Sequence, residues 1–599
     1  MTSARSRRYC PITEYGIIGD MKSAALVAAD GSIDWCCWPR FDSSPVFHRL
    51  LDADDGGFFC VQPCDSYSTT RRYVDGTNVL ETRFTTEAGE VVLTDFMPVH
   101  APEEQGGEDD CRRIVRRLEG VRGRVEVDVL IAPTFDWGRT AAQVERRADG
   151  IMLTAADESV VVDGSVNFEE AAAGKLRARC VVGEGDEVWV SVAYSDETNR
   201  PQPFGGAEAR RRLDETVDYW RGWMDKCAYE GPCAGAVRRS ALVLKLLTYA
   251  PTGAVIAAPT TSLPEEIGGV RNWDYRYVWL RDAGLILESL QHLGYHDEAM
   301  AFWDWLEDLC LSGENQMQNI YRVDGTTELP EQCLDHLEGY EGSQPVRIGN
   351  SAVDQLQLDR FGQILDAGYI CQTEMREPHP DLKPVLGLLA DQAAERWHEP
   401  DHGIWEMRSE PRHLVHSKLM CWVALDRALR LNERGWLDGN VDKWRDARQE
   451  IREAIEERGF NAEMGAFTQT FDGDALDAST LLIPLVGFLE PDDPRVHSTI
   501  DCIQDELMEQ GLVQRYRTSD GLPGEEGAFV LCSFWLVSAL ATCGRRDEAR
   551  ELFGDLVERT NDLGLLAEEV TCGDVDFLGN FPQGFSHLAL IDAAHRLAT

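Results

Sequence analysis

The sequence is poor in cations and poorest in lysine: 58 Lys and Arg stand against 104 Asp and Glu in 599 residues, a formal charge of −46, and only seven of the 58 are lysines. Gripping a phosphate backbone needs clustered cations. The short runs Arg112-Arg113, Arg116-Arg117 and Arg210 to Arg212 lie among carboxylates and read as solvated faces, so no nucleic-acid partner is expected. Long apolar runs are missing too. The longest, LLIPLVGFL from Leu481, is too short for a membrane helix, and no apolar segment follows the arginines of MTSARSRRYC, so neither a membrane span nor a secretory leader is expected. The 17 cysteines are odd in number and scattered, which excludes a disulfide framework and points to a reducing, cytoplasmic setting. Cys10, Cys60 and Cys64 are loosely spaced with no histidine nearby, and read as small buried hydrophobes rather than zinc ligands.

Several chemistries lack their residues. There is no G-x-S-x-G elbow, no G-x-x-x-x-G-K-[ST] phosphate loop, no H-E-x-x-H metal site and no G-x-G-x-x-G after a strand. His398, His402, His413 and His416 cluster without ligand spacing, and Asp492-Asp493 sits between prolines as a turn, so no metal and no cofactor are expected.

With 43% hydrophobic and 27% charged residues, the chain has the apolar mass for large cores. From residue 10 to about 205 it reads as short strands, such as TNVLETRFTT, VEVDVLIAP and EVWVSVAYS, punctuated by Asp30-Gly31, Asp75-Gly76 and Asp163-Gly164. Residues 207–226 read as a charged helix. Beyond them, twelve helical patterns begin near residues 234, 279, 297, 350, 382, 413, 438, 476, 495, 527, 545 and 582. They fall in pairs, which suits a toroid of six helical hairpins. The expected architecture is thus an α+β multidomain chain: an N-terminal antiparallel β-sandwich (1–206), a linker helix region (207–233) and an (α/α)6 barrel (234–599).

Three loops stand out. GGVRNWDYRYVWLRDA, 268–283, sets Trp273, Tyr275, Tyr277 and Trp279 beside Arg281 and Asp282 where a helix begins. Aromatic faces stack on sugars and an Arg/Asp pair grips vicinal hydroxyls, although aromatics at helical spacing also serve as core. HGIWEMRSEPRHLVHSKLMCW, 402–422, places Glu406 after Trp405, and an indole can keep a carboxyl protonated by desolvation. GLLAEEVTCGDVDFLGNFPQGFSHLAL, 564–590, carries Glu568 and Glu569, with Ser586 and His587 available to orient one of them. Hydrolysis of a glycoside with inversion needs an acid and a base about 6.5–9.5 Å apart. The two loops supply one carboxyl each.

On these residues the chain resembles the glucoamylase and trehalase family of inverting glycosidases, glycoside hydrolase family 15. The resemblance runs through ITEYGIIGDMKSAALVAADGSIDWCCWPRFDSSPVF, RNWDYRYVWLRDA, PVRIGNSAVDQLQLD, GIWEMR, LPGEEGAFVLCSFWLVSAL, LLAEEV and GNFPQGFSHLAL, nearly the whole chain. It implies a β-sandwich, a linker helix and an (α/α)6 barrel. It implies Glu406 as general acid and Glu568 as base, with Glu526 of LPGEEGAF as the rival base. Arg281 and Asp282 match the clamp on the 4-OH and 6-OH of a non-reducing glucose, and Trp279, Trp405, Glu526 and Glu569 complete the implied substrate-binding set. Fungal glucoamylases carry a second Glu after the acid; here the position holds Met407. That departure and the long N-terminal motif favour trehalose over an α-1,4-glucan, with a glucoamylase activity or a non-catalytic carbohydrate-binding relative as alternatives. The implied partner is a small-molecule glucoside. Neutral sugars explain few of the 104 acids, so the remainder, with the scarcity of lysine, read as a shell adapted to a high-salt cytoplasm.

Overall fold

The computed structural model describes residues 8–99, 112–147, 150–196, 201, 205–312, 317–375, 382–573 and 576–599. The reading of the N-terminus as leaderless falls largely on residues 1–7, outside the described residues.

The strands between Tyr15 and Ser195 are antiparallel throughout and form two sheets that share one strand, Arg113–Ala132. Its first half pairs with Gly89–Phe96 and Glu187–Ser195, its second half with Phe58–Pro63 and Lys175–Gly183. A strand can pass between layers only where its ladder breaks. Here the register shifts opposite Glu90 and Val91, and Gly123 adopts φ +69°. A Cβ at Gly120 would lie 1.9 Å from the Gly183 carbonyl oxygen, so the crossing requires glycine.

This strand corrects one expectation. The Arg112 to Arg117 run is not a solvated face. Arg116 is buried, donates to Asp95 through Nε (2.8 Å) and Nη2 (3.1 Å), and reaches the Phe59 carbonyl. Arg113 is buried against Asp163 at 3.0 Å and Ser191 at 2.7 Å. Three positions apart, the two arginines stand on opposite faces of the strand, but residues 113–116 are covered on both faces, and ion pairing makes the burial tolerable.

Helix α1 (Gly206–Met224) leads to the twelve helices of the second region: α2 (Ala234–Leu246), α3 (Leu280–His292), α4 (His296–Ser312), α5 (Asp359–Met375), α6 (Leu382–Arg396), α7 (Val415–Glu433), α8 (Val441–Ala454), α9 (Leu482–Leu485), α10 (Pro494–Glu506), α11 (Val530–Thr542), α12 (Arg546–Val557) and α13 (Gly584–Ala598). Helices α3, α5 and α7 pack in succession, α11 packs on α9 and α13, and α13 closes on α3. Burial separates the two rings. In α7 and α11 nearly every residue is buried, whereas α8 buries only Trp444, Ala447 and Ile451, one stripe at helical spacing. The result is the (α/α)6 barrel, inner helices sheathed by outer ones.

Two helices differ from expectation. The pattern from 350 gives a short 3-10 turn, Ser351–Asp354, capped by the Asn350 side chain, and α5 starts only at Asp359. The pattern from 476 yields a 3-10 turn and a four-residue α9, because Pro484 and Gly487 (φ +74°) end it.

The sandwich buttresses the loop that precedes α3. Trp35 Nε1 donates to the Pro259 carbonyl at 2.7 Å, and Arg276, paired with Asp274, donates to the Ser43 carbonyl at 2.7 Å. The N-terminal motif therefore acts as the back support of the residues that follow.

Candidate active site

The segments entering the inner helices converge on a cleft of about 700 Å³, measured to its open mouth. Its wall includes Trp279, Arg281, Asp282, Trp405, Glu406 and Glu568, all singled out in the sequence. Glu526 and Glu569 are not among the residues that line it. Glu265, Trp273, Tyr275, Arg515, Tyr516 and Asp520 do line it; of these only the aromatics of the 268–283 loop carried a sequence signal.

The first wall is the entry to α3. Trp279 is the residue before the helix, so Arg281 and Asp282 fall in its first turn, where a carboxylate is favoured. Arg281 Nε donates to Asp282 Oδ1 at 2.9 Å and Nη1 to the Ile404 carbonyl at 3.0 Å. Both side chains are buried. Burial pushes the Asp282 carboxyl up to about 7, opposed by the adjacent Arg281 charge and reinforced by Glu406. Trp273 offers less stacking surface than expected, since the guanidinium groups of Arg347 and Arg408 lie over its ring at 4.4 and 4.6 Å. Tyr277 does not line the cleft; its hydroxyl accepts from Gly349 N.

The second wall carries Glu406, a non-glycine residue in the left-handed region (φ +54°), a conformation that costs about 1–2 kcal/mol. The surroundings hold it there. Gln355 Nε2 donates to the carbonyls of Glu406 and Met407, both at 3.2 Å, and Asp401 accepts from Gly403 N, Leu358 N and the Ser417 hydroxyl. Strain so supported is characteristic of functional sites. The indole that meets the Glu406 carboxyl is not the adjacent Trp405, whose Nε1 bonds Asp477, but Trp279: its Nε1 donates to Glu406 Oε1 at 2.6 Å. Gln357 donates to the same oxygen at 3.0 Å, and Arg281 Nη1 lies 3.6 Å from it. Every one of these contacts falls on Oε1.

The third wall is the 564–590 loop. Asn580 N donates to Glu568 Oε2 at 3.2 Å, and Oε1 makes no well-formed hydrogen bond. Gly579 (φ +70°) is obligatory: a Cβ there would lie 2.3 Å from Glu568 Oε2. Burial pushes the Glu568 carboxyl up to about 8, with Glu265 adding to the rise and the Tyr275 hydroxyl and Arg515 opposing it. Ser586 and His587 touch no carboxylate. Ser586 donates to the Ala567 carbonyl, and His587 Nε2 accepts from Leu566 N, which places its proton on Nδ1 toward Ser240. Burial holds His587 neutral, down to about 3, so the pair fixes the backbone that presents Glu568.

Behind this wall Arg515 organises the remaining acids. Its Nε donates to Glu526 Oε1 at 3.1 Å and its Nη2 to Glu526 Oε2; Nη2 also lies 3.3 Å from Glu265 Oε2 and 3.6 Å from Glu569 Oε1. Arg271 lies 3.3 Å from Glu526 as well. Glu526 is thus saturated by cations. Glu265, Glu526 and Glu569 bring carboxylate oxygens within 4.8 Å of one another, as a cation site would, but the Arg515 guanidinium already supplies the positive charge. A second such set among the described residues, Glu288, His292 and Asp592, lies further along α3 and α13, with Asp592 bonded to Arg596.

Two carboxyls on separate loops of a helical toroid, with an Arg/Asp pair between aromatic walls, define a glycoside hydrolase. The chain belongs to the glycosyl hydrolases family 15, whose pattern matches residues 231–595; residues 5–220 match a second family, trehalase-like, N-terminal. It is 40% identical over 608 residues to a trehalase of Mycobacterium tuberculosis, covering 97% of this chain and 89% of that one. It is 36% identical over 602 residues to a trehalase of Thermoplasma volcanium, covering 98% and 94%. A bacterial glucoamylase complexed with acarbose shares the fold, with a TM-score of 0.71 over 99% of this chain and 94% of its own at 13% identity.

Proposed function

We propose that the protein is an inverting, exo-acting α-glucosidase whose substrate is trehalose. The observation that carries this reading is that two carboxyls on separate loops line one cleft with unequal exposure. Glu406, with 17% of its side chain exposed, stands toward the mouth; Glu568, 1% exposed, stands at the inner wall. An acid must reach the oxygen between two sugars, and a base must hold water against the far face of the inner one. All donors to Glu406 converge on Oε1, which leaves Oε2 to carry the proton given to the leaving sugar. Glu568 Oε1 is available to take a proton from water, and Arg281 with Asp282 grips the hydroxyls of the non-reducing glucose. Trehalose is favoured by the names of the two relatives and by the wall beside Glu406, where Met407 stands in place of a second carboxylate and Arg408 stacks on Trp273.

A second reading exchanges the roles, because burial raises the proton affinity of Glu568 while three donors surround Glu406. The variants described in the Discussion separate the two. For the substrate, kcat/KM on trehalose should exceed that on maltose, isomaltose and soluble starch; a higher value on maltose or starch makes the protein a glucoamylase, and no release from any of them makes it a non-catalytic relative.

The acidic shell supports work in a salt-rich cytoplasm. Mutual repulsion among the surplus carboxylates is screened by salt, so Tm should rise between 0.1 and about 2 M KCl. A flat or falling Tm contradicts the adaptation without touching the chemistry.

A further inference from the structure

Glu265 closes the hairpin formed by Thr261–Pro264 and Asn272–Asp274; its own N–H bonds the Arg271 carbonyl at 3.1 Å. It is 2% exposed and lines the cleft. Its two oxygens serve opposite sides. Oε1 accepts from Trp273 Nε1 at 3.0 Å, and Oε2 accepts from Arg515 Nη2 at 3.3 Å. Trp273 in turn packs under Arg408, two residues beyond Glu406, and its carbonyl accepts from Asn580, whose N–H holds Glu568.

We propose that Glu265 is a positioning residue of the reaction: one carboxylate fixes Trp273 on the Glu406 wall and Arg515 behind Glu568, and so ties the two halves of the cleft together. The proposal rests on the assignment of Glu568 as base. The charge inventory agrees with it. Glu265, Asp520, Glu526, Glu568 and Glu569 share two guanidinium groups, Arg271 and Arg515, and Arg271 is already bonded twice to Asp520. Five carboxyls, four of them buried and Glu526 half-buried, thus surround two cations, a local surplus of negative charge that favours the protonated form of the buried acids nearest one another. Glu568 faces Glu265, Tyr275, Arg515, Glu569 and the Asn580 N–H; Glu265 faces Arg515, Glu526, Arg271 and Trp273. Burial raises the proton affinity of Glu568, and the neighbouring Glu265 carboxylate adds to the rise.

The test compares Glu265→Gln and Glu265→Asp on trehalose and on α-glucosyl fluoride, which has no leaving sugar. Gln removes the charge and one of the two accepted bonds. With Glu568 ionising more readily, the acidic limb of kcat should move to lower pH by at least about half a unit on both substrates, while KM rises several-fold on trehalose alone. Asp keeps the charge on a shorter arm, so it should raise KM on trehalose and leave the limb in place. A uniform loss of kcat in Glu265→Gln with neither a limb shift nor a trehalose-specific KM change overturns the proposal, and so does wild-type behaviour of both variants. If Glu265→Gln fails to fold, the Asp variant decides through KM. Failure of the base assignment is read separately, from near-normal turnover in Glu568→Gln.

Discussion

Glu568→Gln is expected to lower kcat on trehalose by about 10³- to 10⁴-fold, the upper part of what a general base contributes, with the loss persisting on α-glucosyl fluoride. Glu406→Gln is equally damaging on trehalose but retains substantial turnover of the fluoride, because fluoride departs without being protonated. The asymmetry follows from the two environments: Glu568 is buried at the inner wall, and Glu406 stands toward the mouth. Steady-state rates on both substrates check it. If Glu568→Gln is the variant that keeps the fluoride activity, the roles are exchanged. Both substitutions preserve shape, and Gln at 406 still accepts from Trp279, so unchanged melting temperatures should accompany the loss.

Arg515→Met destabilises the protein by about 3–5 kcal/mol, the usual cost of removing one partner from a buried ion pair. Arg515 is 7% exposed and serves Glu265, Glu526 and Glu569, of which Glu265 and Glu569 are too deeply buried for solvent to replace it. Burial already raises the proton affinity of Glu265 and Glu569 above the unfolded values against the opposing Arg515 charge; without the guanidinium it rises further and the folded state binds extra protons. Stability then falls as pH rises, so the deficit in Tm should be wider at pH 8.5 than at pH 6. Thermal unfolding at the two pH values measures it. A variant with wild-type Tm at both would mean that the carboxyls are neutral without Arg515.

How much of this was legible in the sequence depends on distance along the chain. The toroid was, because inner helices such as α7 and α11 and outer ones such as α8 differ in periodicity and loops separate them. Trp279, Arg281 and Asp282 were, because one contiguous segment enters α3. Glu406 and Glu568 were singled out as carboxyls, but their roles came from family resemblance. Glu265 and Arg515 were invisible: they meet across 250 residues, and nothing local distinguishes them from other acids and arginines. Adjacency also misled. Glu568 and Glu569 are neighbours where the chain enters a strand, and successive residues of an extended chain point to opposite sides, so one faces the cleft while the other turns to Gly527 N. Likewise Glu406 adopts a left-handed conformation that separates it from Trp405, and the indole it meets comes from Trp279, 127 positions away.

The proposed inversion at a single glucosyl carbon by Glu406 and Glu568 is directly readable with trehalose, since attack inverts one anomeric carbon and the leaving glucose keeps its own α configuration. Proton NMR of the first minutes of hydrolysis, before mutarotation, should show α- and β-glucose forming in equal amounts. Formation of α-glucose alone would contradict the account.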